Sequence, residues 1–527
     1  MTVPRRTAFR GPDWTAWVAL ALAVELILPA ARLPLAPDEA YYWYWAQYPA
    51  AGYFDHPPMV AWIIAVTTGL GGDHEFWVRA GALACFAGTL VLLFATLRRL
   101  FPELPRQAAW LVVLGANLSL LFPGTGLVMT VDSPLVLFWA LALYAGARVL
   151  VEGDGRFWWL FGAALGAAML SKYTAVLLVP CILGFVLVTP AQRRWLTHRD
   201  PWIGALLALA LFSPVVYWNW RHHWISFAFQ LSHGFRAESQ PVTERLLEYL
   251  GLQLGIVSPG LWLLLAGYGA AGLWLALRQR DARLGYLFAL SWPVILFFAW
   301  TTAVGDRAEG NWPAPGYLGA LVLAVAAWYR GGYHLRRAHR AVGGTLVGLS
   351  LAVTLALRVH MLHPVLPVPP GDDPLREFAS WPTIGQAVRK ALTQADDRAS
   401  PGRFLVSDRG TRLAEAVFYS GIHGIDLTRP ERYLFLGDWR GRFAGRDAVL
   451  ILNAWTDPDQ YRCLFRRMVP TAIEFVPEYR GRPLEEYRSR LYLGSGFFGG
   501  GVFPCEPGAT SGRGALPTRS RGSGTGS

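Results

Sequence analysis

Charge is what this sequence has least of. Asp, Glu, Lys and Arg make up 16% of its 527 residues, whereas a soluble globular chain carries about 25%. With 53% hydrophobic residues and a positive mean hydropathy, that scarcity excludes an ordinary soluble enzyme. Lysine is scarcer still. Lys172 and Lys390 are the only two, and every other member of the 48 Lys and Arg is arginine, so a lysine at the end of an apolar run is informative. The formal net charge of +12 gives no reason to expect nucleic acid, because a membrane protein gathers Arg in its cytoplasmic loops. Cysteine is limited to four. Cys85 and Cys181 fall in apolar runs and read as small buried hydrophobes. Cys463 and Cys505 fall in the polar C-terminal part, where they could pair if that part lies outside the cytoplasm.

What the chain has is apolar runs. They cover 14–28, 76–97, 107–122, 134–150, 157–171, 173–189, 202–218, 251–277, 284–303, 313–330 and 341–359, which predicts about eleven spans of a hydrocarbon core roughly 30 Å thick. The first run follows Arg5, Arg6 and Arg10 and reads as an uncleaved span, since so many others follow. Connections such as "RRLFPELPR", "TPAQRRWLTHRDP", "RQRDAR" and "YRGGYHLRRAHR" are Arg-rich and alternate with poorer ones. The positive-inside rule then places the N-terminus in the cytoplasm and everything after about residue 360 outside it. Val60–Leu70 is too short to span and predicts a helix lying at the membrane surface. Gly162 and Gly166 form a small-xxx-small pair suited to close helix packing.

The character changes near Asp372. "RFLVSD", "AVLILNAW" and "AIEFVPEY" predict strands, while "TRLAEAVFYSG" and "DPDQYRCLFRRMV" predict helices. The expected organisation is a helical membrane domain over 1–360, a small extracytoplasmic α/β domain over 372–506, and a disordered tail over 507–527 with no apolar content to fold around.

Ionisable residues collect on the predicted outer side. The first loop, "DEAYYWYWAQYPAAGYFDHPPM", carries Asp38, Glu39, Asp55 and His56; Asp132 opens one span and Lys172 ends another; His233, Arg236 and Arg307 lie in outer loops. Each has a plainer reading. Asp38 could be a helix N-cap, the run Tyr41–Trp45 an interfacial aromatic belt, and Lys172 a snorkelling end residue. Pro134 makes Ser133 the natural cap of its helix and leaves Asp132 one place early. Glu25, inside the first run, would pair within the bundle. Taken together, carboxylates and cations converging on one membrane face suit a substrate with an anionic head and a lipid tail. A transporter or flippase would instead set such groups near mid-membrane in broken, repeated helices, and no inverted repeat is evident.

The ordered set "DEAYYW…YFDHPPM", "MTVDSPLVLFW", "MLSKYTAVLLVP", "NWRHHWISFAFQLSH" and "AEGNWPAPGYL" resembles the membrane glycosyltransferases related to protein O-mannosyltransferases and lipid A aminoarabinose transferases. The Asp-His-Pro-Pro form is most similar to the lipid A-core galacturonosyltransferase branch. The resemblance implies a GT-C fold and inverting transfer of a sugar from a polyprenyl-phosphate donor to an envelope lipid, glycan or protein at the bilayer's outer face. It places the first-loop acid on Asp38 with Glu39 beside it, the second acid on Asp132, and the phosphate-binding lysine on Lys172. Chemistry agrees: a base must take the acceptor's proton, and fixed cations must meet the leaving phosphate. Asp38 is the first candidate for the base and Asp132 the second; Lys172, Arg307, Arg236 and His56 are the candidate cations. Where aminoarabinose transferases have Glu-Lys before Pro-Pro, this chain has Asp55-His56. A divalent cation held by Asp55 and His233, with His56, is the remaining cofactor candidate.

Overall fold

A computed structural model describes residues 14–234, 240–305, 309–394, 402–500 and 503–505, with His233 and Gly234 described by backbone alone. The chain divides into two compact units, Met1–Val368 and Pro369–Ser527.

The described part of the first unit is helical and contains no strand. Seven of its helices are long and apolar enough to cross a membrane. They are Trp14–Arg32, Glu75–Leu100, Asp132–Glu152, Arg199–Arg221, Pro259–Gln279, Ala282–Val304 and Arg337–Leu362. The pair Arg106–Asn117 and Leu121–Leu127, bent by 71°, makes an eighth if it is one broken span. Three of the expected eleven runs form shorter elements. Phe157–Ser171 has 15 residues, which at about 1.5 Å per residue falls short of a roughly 30 Å core. The 173–189 run is a 3₁₀ turn, Tyr173–Leu177, followed by the 11-residue helix Leu178–Val188. Ala314–Arg330 has 17 residues and is buried along most of its length. A helix enclosed by other helices is apolar all round, as a lipid-facing span is, so hydropathy does not separate the two.

Close packing follows the small residues. A Cβ on Gly162 would lie 2.0 Å from the Gly204 carbonyl oxygen, and one on Gly166 would lie 3.0 Å from that of Ala208. The Phe157–Ser171 and Arg199–Arg221 helices therefore cross backbone to backbone. Glu25 pairs with Arg358 from the Arg337–Leu362 helix, and Arg358 also donates to the Asn117 carbonyl at 3.2 Å. Arg358, the buried member of the pair, thus finds both an anionic partner and a backbone acceptor among apolar helices. Met59–Gly71 is the short apolar helix expected after the first loop.

The second unit holds a five-stranded sheet in the order β2-β1-β3-β7-β4. Its strands are β1 (Arg403–Ser407), β2 (Gly424–Asp426), β3 (Asp447–Asn453), β4 (Phe465–Phe475) and β7 (Ser489–Phe497), with β5 (Glu478–Tyr479) and β6 (Arg482–Pro483) forming a separate hairpin. β1 runs parallel to β2 and β3, and β7 runs antiparallel to β3 and β4. The helix Gly410–Ser420 follows β1 as expected. The stretch "DPDQYRCLFRRMV" differs from expectation: only Asp459–Arg462 is helical, and β4 starts at Phe465. Its alternation was masked by Arg466 and Arg467, which the strand leaves exposed on one edge of the sheet. Cys463 and Cys505 form a disulfide with Cα atoms 5.8 Å apart. The expected disordered tail lies outside the described residues.

Candidate active site

The first loop is organised by the helix Pro37–Ala46. Ala36 is its N-cap residue and Pro37 occupies the first helical position, where a fixed φ and a missing N–H do no harm. Asp38 and Glu39 follow in the first turn, where acids complement the helix dipole. Asp38 is thus inside the helix and not its N-cap, and its side chain is exposed. Glu39 turns inward and is fully buried with Arg79, their charged atoms 2.6 Å apart. The Ala36 amide donates to one Glu39 carboxylate oxygen at 2.9 Å and the Met129 amide to the other at 3.0 Å. Arg79 donates further to the carbonyls of Leu33 and Pro34, each at 2.6 Å. Glu39 is committed to holding the loop in place.

The aromatics of this helix are not a lipid-facing belt. Tyr41, Tyr42, Trp43, Tyr44 and Trp45 are all buried, because the loop folds over them. Trp45 stacks on Tyr53 with centroids 4.3 Å apart. The Tyr41 hydroxyl donates to Asp55 at 2.7 Å, and Gln230 donates to the Asp55 carbonyl at 2.5 Å. His56 meets the edge of Tyr42 at 6.4 Å.

The second cluster joins three distant segments. Asp132 is the first residue of the Asp132–Glu152 helix, and Lys172 sits in extended conformation (φ −153°, ψ 138°) at the break after Phe157–Ser171. The Lys172 ammonium lies 2.8 Å from one Asp132 oxygen, and Asn311 donates to the other at 2.6 Å. Lys172 is 7% exposed and Asp132 3% exposed, so the lysine points into protein and does not snorkel. Ser133 lies inside the helix and donates to the Thr125 carbonyl at 2.7 Å. Met129, whose amide binds Glu39, is three residues before Asp132, so the two clusters share one end of the bundle.

Sequence reasoning missed three members of this arrangement. Arg79 was legible as a lone base near the start of an apolar run, where such a charge needs an anionic partner. Asn311 stood inside a quoted motif but is uncharged. Tyr41 was hidden among its aromatic neighbours. Of the expected cations, Arg236 and Arg307 lie outside the described residues, as does the side chain of His233. Among the described residues, no group of three or more His, Cys, Asp or Glu could hold a metal ion, and Asp55 is engaged by Tyr41.

Residues 55–218 match the family described as dolichyl-phosphate-mannose-protein mannosyltransferase. Lipid A galacturonosyltransferase RgtD of Rhizobium johnstonii is 27% identical over 410 residues, covering 72% of this chain and 78% of that one. The undecaprenyl phosphate-alpha-4-amino-4-deoxy-L-arabinose arabinosyl transferase of Edwardsiella ictaluri is 26% identical, covering 55% of each chain. The crystal structure of ArnT from Cupriavidus metallidurans bound to undecaprenyl phosphate superposes with a TM-score of 0.62 at 17% identity, over 92% of this chain and 98% of that one. A likeness at that identity speaks for the fold, which is that of the GT-C enzymes, and the relatives that this chain resembles in sequence are sugar transferases by name.

Proposed function

We propose that the protein is an inverting glycosyltransferase that moves a sugar from a polyprenyl-phosphate donor to an envelope lipid, glycan or protein on the outer side of the inner membrane. The observation that carries this reading is the buried ammonium of Lys172, held by Asp132 and Asn311 at the same end of the bundle as Asp38. A cation fixed in a water-poor site is worth most where negative charge grows, as it does on a departing phosphate. The acceptor oxygen attacks the anomeric carbon, the bond from that carbon to the phosphate oxygen breaks, and its electron pair leaves with the phosphate. The acceptor's proton goes to Asp38. Asp132 then positions Lys172, Glu39 positions the loop that carries Asp38, and Arg236, Arg307 and His56 are additional candidates for phosphate contact. The similarity to a lipid A galacturonosyltransferase favours a lipid A-type acceptor.

The reading places the N-terminus in the cytoplasm and the second unit outside. The alternation of Arg-rich loops supports it, as does the Cys463–Cys505 bond, since such bonds persist mainly outside the cytoplasm. Alkylation mass spectrometry of non-reduced protein from the native membrane should find both cysteines blocked. Two freely labelled thiols would remove that support.

Reconstitution tests the function. Purified protein in liposomes should transfer sugar from a polyprenyl-phosphate donor to extracted envelope glycolipid, with the anomeric configuration inverted. Ligand flux across the bilayer without transfer would overturn the reading. Mass spectrometry of envelope glycolipids from a deletion strain identifies the sugar, because a pentose, a hexose and a uronic acid leave different mass differences.

Lys172→Ala should weaken donor binding by about 10–100-fold, the worth of one charge-assisted hydrogen bond. It should also slow turnover, because the charge matters more as the leaving group develops. Pairing it with Asp132→Asn removes the carboxylate otherwise left without its ion-pair partner, so the binding loss should persist in a protein whose fold is restored. Normal donor binding by a folded double variant would assign the lysine to structure alone.

A further inference from the structure

Towards the end of the bundle opposite Lys172 lies a cavity of about 240 Å³ that the transfer chemistry does not use. Two helices each give it one face. Phe157–Ser171 supplies Trp158, Phe161 and Leu165, and Leu178–Val188 supplies Val179, Ile182 and Val186, all at spacings of three or four residues. Trp158 is 14 residues before Lys172, about 21 Å along a helix. The floor is the Gly162–Gly204 crossing, where no side chain is present to fill the space. Val179, Leu183 and Trp202 line the cavity and are 40%, 45% and 61% exposed, so it opens sideways to the bilayer.

An apolar space of this kind gives water fewer hydrogen-bond partners than it needs, and left empty it forfeits dispersion contacts. A flexible hydrocarbon chain fits both requirements. Charge lies close by. Arg193, Arg194 and Arg199 are exposed on the segment that carries the lining residues Trp195, Leu196 and Pro201, with the Arg194 guanidinium 4.9 Å above the Trp195 ring. The neighbouring acids are occupied. Asp200 is buried against Trp159, His198 and Arg199, and Asp154 pairs with Arg156. Trp158 is 7% exposed, and among the described residues its indole N–H has no hydrogen-bond partner.

We propose that this is a binding site for one anionic phospholipid of the adjoining leaflet, with an acyl chain in the cavity and the headgroup on Arg193, Arg194 and Arg199. Basic clusters at the membrane surface attract such headgroups, and the Trp158 N–H is a donor for an ester or phosphate oxygen. The site rests on the membrane-spanning architecture and not on the transferase reading, so either can fail alone.

The test uses full-length protein purified in mild detergent, with phosphatidylglycerol and phosphatidylcholine of identical chains as probes. Native mass spectrometry should show phosphatidylglycerol retained at least tenfold better, since each basic contact is worth about fivefold. The triple variant R193Q/R194Q/R199Q should lose the preference, and Ile182→Trp, which fills the cavity, should lose retention of both lipids. A phosphatidylglycerol carrying a photoactivatable group in its acyl chain should label peptides 158–165 and 179–186 of the unaltered protein above other lipid-facing helices, a readout independent of how Ile182→Trp folds. Equal retention of the two lipids, or labelling spread evenly over the bundle, would overturn the proposal.

Discussion

Asp38→Asn should slow turnover by roughly 10²–10⁴-fold while donor binding stays nearly unchanged. The substitution keeps the shape of the side chain and its place in the first turn of Pro37–Ala46, and removes only the carboxylate able to accept a proton. Glu39 and Asp132 hold ion pairs that would be lost with their charge. Glu39 is enclosed by Arg79 and two backbone amides, and Asp132 by Lys172 and Asn311. Asp38 is the exposed one, where an incoming hydroxyl can reach it. The comparison that checks this is kcat against KM, since a lost base lowers kcat and leaves binding intact. A variant that melts like the unaltered protein and turns over normally would transfer the base role to Asp132.

Arg79→Met should destabilise the fold by about 3–5 kcal/mol, the usual result of stranding one member of a buried ion pair. Arg79 and Glu39 are both fully buried. Replacing both members of such a pair by apolar residues is often harmless, but here the double variant Arg79→Met/Glu39→Met should not recover. The carbonyls of Leu33 and Pro34 and the amides of Ala36 and Met129 would still lose their partners, and each buried polar group left unpaired costs about 1–3 kcal/mol. Thermal melts of both variants decide this. A double variant as stable as the unaltered protein would show that the backbone groups find water or one another.

The sequence was most readable where charge stood out against an apolar background. Lys172 was conspicuous because the chain almost never uses lysine, and its break between two helices was visible in "SKYT". Gly162 and Gly166 announced a close crossing, and Glu25 announced a partner, which is Arg358. Span counting was less readable, because hydropathy alone does not say whether the buried helix Ala314–Arg330 and the short helix Phe157–Ser171 cross the bilayer. The aromatic helix was misread for a related reason: Tyr41 to Trp45 suit a lipid interface and a protein interior equally, and only the fold of the following loop decides between them. In the second unit, β1 and β3 were plain as continuous apolar runs, whereas β4, edge strand with exposed arginines, carried too weak an alternation. Asn311 shows the remaining limit. An amide has no charge to betray it, and its role exists only because three distant segments meet.

The reach of Arg79 bears on how the protein is made. Its contacts join residues 33–39, and through Glu39 the segment at Met129. During synthesis into a membrane, the loop bearing Asp38 leaves the ribosome well before either Arg79 or Met129 does. Until both have arrived, the Glu39 carboxylate has only the Ala36 amide and the carbonyls of Leu33 and Pro34 lack the guanidinium, so the loop is not yet held. Activity is therefore acquired late and as a unit, and a nascent chain halted before Met129 should present a first loop that proteases can still cut.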